Sequence, residues 1–311
     1  MPFQFALKIN YVPELQRIIK EQLQLILNMP LHTEVANDQI HTYAHEARKA
    51  TKRLRAILQL LKPVLKEVDF KMALRTFEQI ANMLAELRDA NSRLLSIERL
   101  IITFNQREDH TSLVVVRNYL KTELTQIEQK DYVEIFNQIS QHTSYIEYQM
   151  RNWVIDKPGR MLIFTSIEKI YRKARKLVRK AYKHNQHDLL HAFRKQNKFL
   201  LHHTELISNI WPEVMEAYIS EFEKLSDLLG EEHDLALLHT YIETLTNNNE
   251  LSDEVGTALA LISNRRTYLQ NSIFHLQSKI YVDSPKSFAK RLRKYWDNWQ
   301  ANEAFEYKEE F

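Results

Sequence analysis

Segment 44–55 combines a histidine with regularly spaced cations. At about 100° per residue, a helix would place His45, Arg48, Lys49, Lys52 and Arg55 on one face. Alanine and leucine side chains occupy the opposite face and can be buried. Like charges one helical turn apart repel each other unless an anion lies across them. The spacing therefore predicts either a solvated basic face or a site for an anion that carries several charges.

The same combination returns in the second half of the chain. Segment 45–52 recurs at 191–198, an offset of 146 residues. Further along, segment 83–89 recurs at 228–234 with an offset of 145 residues. Blocks that keep one order at nearly one offset indicate an internal duplication. The recurring site residues are His45, Arg48, Lys49 and Lys52, and their counterparts His191, Arg194, Lys195 and Lys198.

Charge is concentrated in two blocks. Residues 41–66 contain seven Lys or Arg and one acid, and residues 160–203 contain twelve Lys or Arg and two acids. The whole chain has a formal charge of only +3, so the remainder is strongly acidic. This segregation favours a localised site for a polyanion over a general role of the charges in solubility.

The composition predicts an all-α protein. Among 311 residues there are three glycines and seven prolines, too few for the turns that β structure requires. There is no cysteine, which suits a reducing compartment, and the first residues do not resemble a signal peptide. We therefore expect a cytoplasmic protein with no membrane span.

Hydrophobic periodicity and helix-stop residues predict the individual helices. The interval from Thr111 to Trp153 is too long for one compact helix, but its break has no clear signal. Gly230 is expected to interrupt helical structure. The predicted helices cover 13–29, 38–62, 69–87, a fourth ending near 104, 111–153, 161–184, 185–207, 212–229, 232–245, 252–282 and 285–299.

These motifs resemble those of the CHAD domain, a histidine-containing α-helical family. The resemblance rests on the motif from His45 to Arg55, on the run Leu87-Arg88-Asp89-x-Asn91, and on their second-half counterparts. The ending Lys290-x-x-Arg293-x-x-Trp296 is similar to the family's basic and aromatic ending. The resemblance implies two pseudo-symmetric antiparallel helical bundles around a basic groove. The segment Asp156-Lys157-Pro158-Gly159 is the clearest boundary in the sequence, so the two bundles are expected at 1–155 and 156–311.

The function implied by this resemblance is binding of inorganic polyphosphate without catalysis and without a cofactor. Polyphosphate bears about one negative charge per internal phosphate, so Arg and Lys donors are the expected ligands. The expected binding residues are His45, Arg48, Lys49, Lys52, Arg53, Arg55, Arg88, Arg172, Lys173, Arg175, Lys176, Arg179, His191, Arg194, Lys195, Lys198 and His202.

Two positions depart from the family pattern. Leu201 stands where the second motif usually carries arginine, and His202 stands where it often carries tyrosine. We therefore expect the first half to bind the anion more strongly, which makes Arg55 an important cation. The pair His202-His203 is expected at the surface rather than as a ligand pair.

The histidines and aspartates of the motifs have several possible roles. His45 and His191 could bind metal, donate to an anion when protonated, or be structural; no carboxylate pair at ligand spacing supports a metal site. Protonation beside an anion would strengthen binding at mildly acidic pH. Asp89 and Asp234 are expected just after helix ends, where they would cap a helix or orient a groove arginine.

Two other functions remain open at this level. A nucleic-acid-binding helical module would use the same cations against a phosphate backbone. A metal-dependent enzyme acting on phosphate polymers would need a catalytic constellation, and the sequence indicates no catalytic or metal-ligating residues. The expected partner is inorganic polyphosphate, with association with polyphosphate granules in the cytoplasm, and the oligomeric state is undetermined.

Overall fold

The computed structural model describes residues 3–6, 11–28, 37–86, 89–106, 110–127, 132–153, 160–184, 187–247 and 254–309. Within these ranges the chain forms eleven α-helices, one short 3-10 helix and no strand, which confirms the predicted all-α class. The helices are α1 (Tyr11–Leu27), α2 (Asn37–Leu61), α3 (Glu67–Glu86), α4 (Asp89–Thr103), α5 (Thr111–Ile127), α6 (Tyr132–Arg151), α7 (Arg160–His184), α8 (His187–Leu206), α9 (Pro212–Asn247), α10 (Glu254–Ile280) and α11 (Pro285–Glu309), with the 3-10 helix at Ser208–Ile210.

Most helix bounds follow the sequence pattern. The structure adds detail in one region and corrects the prediction in another. Within the described residues, the long interval 111–153 contains α5, which ends at Ile127, and α6, which begins at Tyr132. The predicted interruption at Gly230 is wrong, because α9 runs without a break from Pro212 to Asn247. Gly230 is buried against the side chain of Arg194, and the packing of α9 against α8 and α10 outweighs the modest helix penalty of one glycine. The predicted boundary at 156–159 lies outside the described residues.

Two groups of helices pack in a similar order. In the first, α1 contacts α2 and α6, and α3 contacts the same two helices. In the second, α7 contacts α8 and α11, and α8 contacts α9. Helix α2 also packs directly on α7 and α8, so one hydrophobic core runs through both groups.

A second hydrophobic core lies beside the first. It is built from α4 and α5 together with the C-terminal half of α9 and the N-terminal half of α10. Ile97 and Val116 meet Leu238 and Ile262 there, and all four are fully buried. Each half of the chain thus contributes a helical hairpin to this core. None of the described helices combines the length and apolar content needed to cross a bilayer.

The contact between α2 and α8 includes a buried hydrogen bond. His203 on α8 is completely buried, and its Nε2 lies 2.8 Å from the carbonyl oxygen of Ala56 on α2. Only a protonated Nε2 can donate to a carbonyl, so the neutral ring holds its proton there. Burial lowers the pKa of His203 from its ordinary value of 6.5 to about 4. The expectation that His202 and His203 are at the surface is therefore wrong, because α8 is enclosed by α2, α7 and α9.

This histidine predicts a pH-dependent free energy of unfolding. Its pKa is lower in the folded state, so its contribution is complete above about pH 6.5 and is lost as the pH falls towards 4. Between about pH 7 and about pH 5 we expect a loss of about 2 kcal/mol from this residue. His203→Gln keeps an amide donor for Ala56 but does not titrate. Urea unfolding at both pH values should show that the free energy of unfolding falls less on acidification in the variant than in the wild-type protein. Equal decreases in the two proteins would contradict this account.

Candidate functional site

A cleft of about 1400 Å³ lies above the contact between α2 and α8. Residues of α3, α4 and α9 also line the cleft, together with Leu276 of α10. The cleft brings together two rows of side chains that are far apart in the sequence. Those rows are His45, Arg48, Lys52 and Arg55 on α2, and His191, Arg194, Lys195, Lys198 and His202 on α8.

The lining is predominantly basic. Nine Lys or Arg side chains face three carboxylates and four histidines. The cations are Arg48, Lys52, Arg55, Arg93, Arg99, Arg194, Lys195, Lys198 and Lys224; the carboxylates are Asp227, Glu231 and Asp234; the histidines are His45, His191, His202 and His233. Because side-chain walls displace water, cations in a cleft interact more strongly than cations on an open surface.

A buried polar network fixes the α8 row. The amide of Asn197, which is completely buried, donates to the carbonyl of Phe222 at 3.0 Å and to Ser226 Oγ at 2.8 Å. Its Oδ1 accepts a hydrogen bond from the hydroxyl of Tyr281 at 2.9 Å. These bonds tie α8 to α9 and to the residue that follows α10, and they hold the neighbouring turns in register with the cleft.

Lys198 shows the electrostatic cost of this arrangement. Its pKa is lowered, first because burial removes water from the ammonium group and second because Arg194 adds a like charge nearby. The carboxylate of Asp227 acts in the opposite direction but does not cancel the effect. A bound anion would supply the missing compensation.

Gly230 allows Arg194 to pass close to α9. A Cβ atom at position 230 would lie 3.5 Å from Arg194 Nη2 and 3.9 Å from its Nε. The guanidinium therefore lies against the backbone of α9, where a larger side chain would occupy its place.

His202 lines the cleft and contacts Glu205, which does not line it. His202 Nδ1 lies 2.9 Å from Glu205 Oε2, and Arg53 Nε lies 3.3 Å from the same oxygen. Burial lowers the pKa of His202 against the opposing effect of Glu205. Although burial alone would raise it, the contacts with His202 and Arg53 hold the pKa of Glu205 below its usual value. The carboxylate is thus ionised and anchors both neighbours.

Some predicted residues of the first motif lie elsewhere. Arg53 turns away from the cleft, with its guanidinium 4.6 Å from the ring centroid of Phe3. Lys49 is exposed on α2 and does not line the cleft. Arg88 lies outside the described residues. Leu201, the counterpart of Arg55, is buried in the main core, so the α8 row has no cation at this position.

A family comparison agrees with this architecture. The model of the CHAD domain matches residues 18–243, most of the chain. The chain belongs to the CHAD domain family. No curated protein matches the chain. The CHAD match ends within α9, so Lys290, Arg293 and Trp296 lie beyond it.

The five predicted cations of α7 are absent from the lining of the CHAD cleft. Arg172, Arg175, Lys176 and Arg179 line a separate pocket of about 330 Å³, whereas Lys173 is exposed beside it. The expectation of one common groove is corrected, because α7 packs its apolar face on the core and directs these cations to another surface.

Sequence reasoning missed several residues of the cleft. Arg93 and Arg99 come from α4, Lys224 and His233 from α9, and none belongs to a basic block. The Arg93 guanidinium lies 4.3 Å from the ring centroid of Tyr241. His233 is paired with His191, with ring centroids 4.3 Å apart. Arg93 and Arg99 are six residues apart, which places them about 120° apart around α4, so helical periodicity offered no signal for this pair.

The two aspartates do not occupy equivalent helix ends. Asp234 lies within the continuous α9 and lines the cleft, so the predicted capping role is wrong. Asp89 is the first residue of α4. Among the described residues, no three His, Asp or Glu side chains lie close enough together to hold a metal ion.

Gly230 offers a matched pair of substitutions. Gly230→Ala places a methyl group at ordinary contact distance from Arg194 and should raise the free energy of unfolding by about 1 kcal/mol. Gly230→Leu should displace the guanidinium and weaken binding of an anion in the cleft about ten-fold, the value of one charge-assisted hydrogen bond, with tripolyphosphate as the probe. Urea unfolding of Gly230→Ala checks the expected free energy of unfolding. Calorimetric titration of both variants with tripolyphosphate checks the expected affinities. Equal affinities would show that the position of Arg194 does not matter.

Proposed function

We propose that this CHAD domain binds inorganic polyphosphate in the cleft between α2 and α8, without catalysing a reaction. The observation that supports the proposal most directly is the meeting of two cation rows, Arg48 to Arg55 and Arg194 to Lys198, across one cleft. The rows are separated by almost half the chain, and only the tertiary structure makes them one surface.

The donor types suit a polymer of phosphates. Polyphosphate presents charged oxygens along its whole length and no pattern of bases. Arginines can contact two oxygens at once, and lysines add point charges. Arg48 and Arg194 are partly buried, so an anion bound there would be shielded from bulk water.

We infer that the two bundle halves arose by internal duplication. The contacts of α1, α2 and α6 resemble those of α7, α8 and α11, which supports this inference. In the same scheme, α3 and α4 together correspond to α9, and α5 corresponds to α10. The halves 1–155 and 156–311 would then supply one basic row each. The first half supplies five cations and no carboxylate to the described lining, whereas the second half supplies four cations and all three carboxylates. We therefore propose that the first half contributes more of the affinity.

Nucleic acid is the second candidate ligand. Single-stranded nucleic acids commonly gain affinity from bases stacked on aromatic side chains. Only two aromatic rings other than histidine, Phe199 and Tyr241, line the described cleft, and Arg93 lies over the Tyr241 ring. This arrangement favours a ligand that is recognised by its phosphates alone.

We also propose a cytoplasmic location with association with polyphosphate granules. This follows from the proposed ligand and from the absence of cysteine in the sequence.

Charge reversal in both rows tests the proposed site. Arg48→Glu combined with Arg194→Glu replaces two attractive contacts with repulsive ones and should weaken polyphosphate binding at least about 100-fold at physiological salt. The matched control is Lys49→Glu with Lys121→Glu, which makes the same change in net charge at exposed positions outside the cleft. Equal effects in the two double variants, measured by calorimetry on proteins with unchanged circular dichroism, would contradict the assignment.

Competition distinguishes the candidate ligands. Labelled polyphosphate should be displaced by unlabelled polyphosphate and not by equal phosphate concentrations of duplex DNA or RNA, because only two aromatic rings other than histidine line the described cleft and Arg93 lies over one of them. Displacement by nucleic acid at the same concentration would favour the second function. Release of inorganic phosphate from polyphosphate after incubation with Mg²⁺ or Mn²⁺ would instead support the hypothesis of a metal-dependent enzyme.

A further inference from the structure

A row of six basic side chains follows one face of α7. Arg172, Arg175, Lys176, Arg179, Lys180 and Lys183 line the pocket of about 330 Å³ together with Pro285 at the start of α11. We call these six residues the α7 stripe. Their spacing repeats every three or four residues, so the stripe extends about 16 Å along the helix.

Little in the described surroundings neutralises the stripe. Glu168 forms an ion pair with Arg172. Arg175 donates to the carbonyl oxygen of Asp283 at 2.7 Å, whereas the carboxylate of Asp283 pairs with Arg291. Every charged residue that lines this described pocket is basic. Like charges at a spacing of four residues destabilise a helix, so the stripe opposes the folding of α7 unless an anion binds.

The stripe and the cleft are separate surfaces. No residue of α7 lines the described cleft. The opposite face of α7 is buried in the main core through residues such as Ile167, Ala174 and Val178. A ligand held in the cleft therefore does not satisfy the stripe charges by the same contacts.

We infer that the α7 stripe is a second binding site for inorganic polyphosphate. This inference rests on the proposed function of the cleft, which supplies the chemical class of the ligand. The stripe pocket offers only cations and a proline ring, so it recognises charge along a line and nothing else. A long chain that occupies both surfaces gains affinity through the effective concentration of its second segment, whereas a short chain occupies one surface at a time.

Two double variants on the same helix isolate the stripe. Lys176→Glu with Lys180→Glu reverses two exposed stripe residues at a spacing of four. Lys169→Glu with Lys173→Glu makes the same change at the same spacing on exposed residues outside the pocket. Neither pair touches the cleft. Binding of tripolyphosphate and of long-chain polyphosphate is measured by calorimetry, with circular dichroism to verify folding.

The stripe variant should bind long-chain polyphosphate at least about ten-fold more weakly than the control variant, because avidity is lost. In the background Arg48→Glu with Arg194→Glu, residual binding of long chains should disappear with the stripe variant and persist with the control. Equal affinities of the two variants for long chains, or no residual binding in that background, would overturn the assignment of the stripe as a binding site. Neither result would affect the assignment of the cleft.

A wrong assignment of the cleft would give a different set of results. If the double variant of Arg48 and Arg194 binds both ligands normally and the stripe variant does not, the stripe is supported and the cleft assignment is lost. If duplex DNA displaces long-chain polyphosphate from the background variant at equal phosphate concentration, the assignment of the stripe to polyphosphate is overturned.

Discussion

Repulsion among cations that share one cleft is the constraint on which the structure depends. Arg48, Lys52, Arg194 and Lys198 lie on two helices that pack directly against each other. Isolated from the rest of the chain, these rows would push α2 and α8 apart. Apolar packing beneath them and the hydrogen bond from His203 to Ala56 oppose that repulsion. The fold thus maintains a concentrated positive charge that an anion can relieve.

The polar groups around the cleft have different structural roles. Asn197 and its partners fix α8 against α9, and Glu205 anchors His202 and Arg53 at the end of the row. Buried polar groups carry a penalty unless their hydrogen bonds are made, so each such contact also limits how the helices can slide. Orientation of the cations is therefore built into the core rather than left to flexible surface side chains.

The second core gives the cleft its far wall. Hairpins from both halves of the chain meet there, and they carry Arg93, Arg99 and Tyr241 to the cleft. This arrangement explains why a region with no basic block in its sequence contributes cations. Helix α7 packs its apolar face on the main core, so the second basic block is divided between the cleft and a separate surface.

The sequence alone determined the all-α class, the CHAD family and the two principal rows, because helical periodicity and motif spacing are local properties. The same local information was insufficient at Gly230, where packing on α8 and α10 maintains one helix through a residue of low helix propensity. It was also insufficient at His202 and His203, whose polarity suggested exposure although neighbouring helices bury them. Only the tertiary structure decided that Arg93 joins the cleft and that the α7 cations do not, because the direction in which a helix presents its charged face depends on the elements that cover its apolar face.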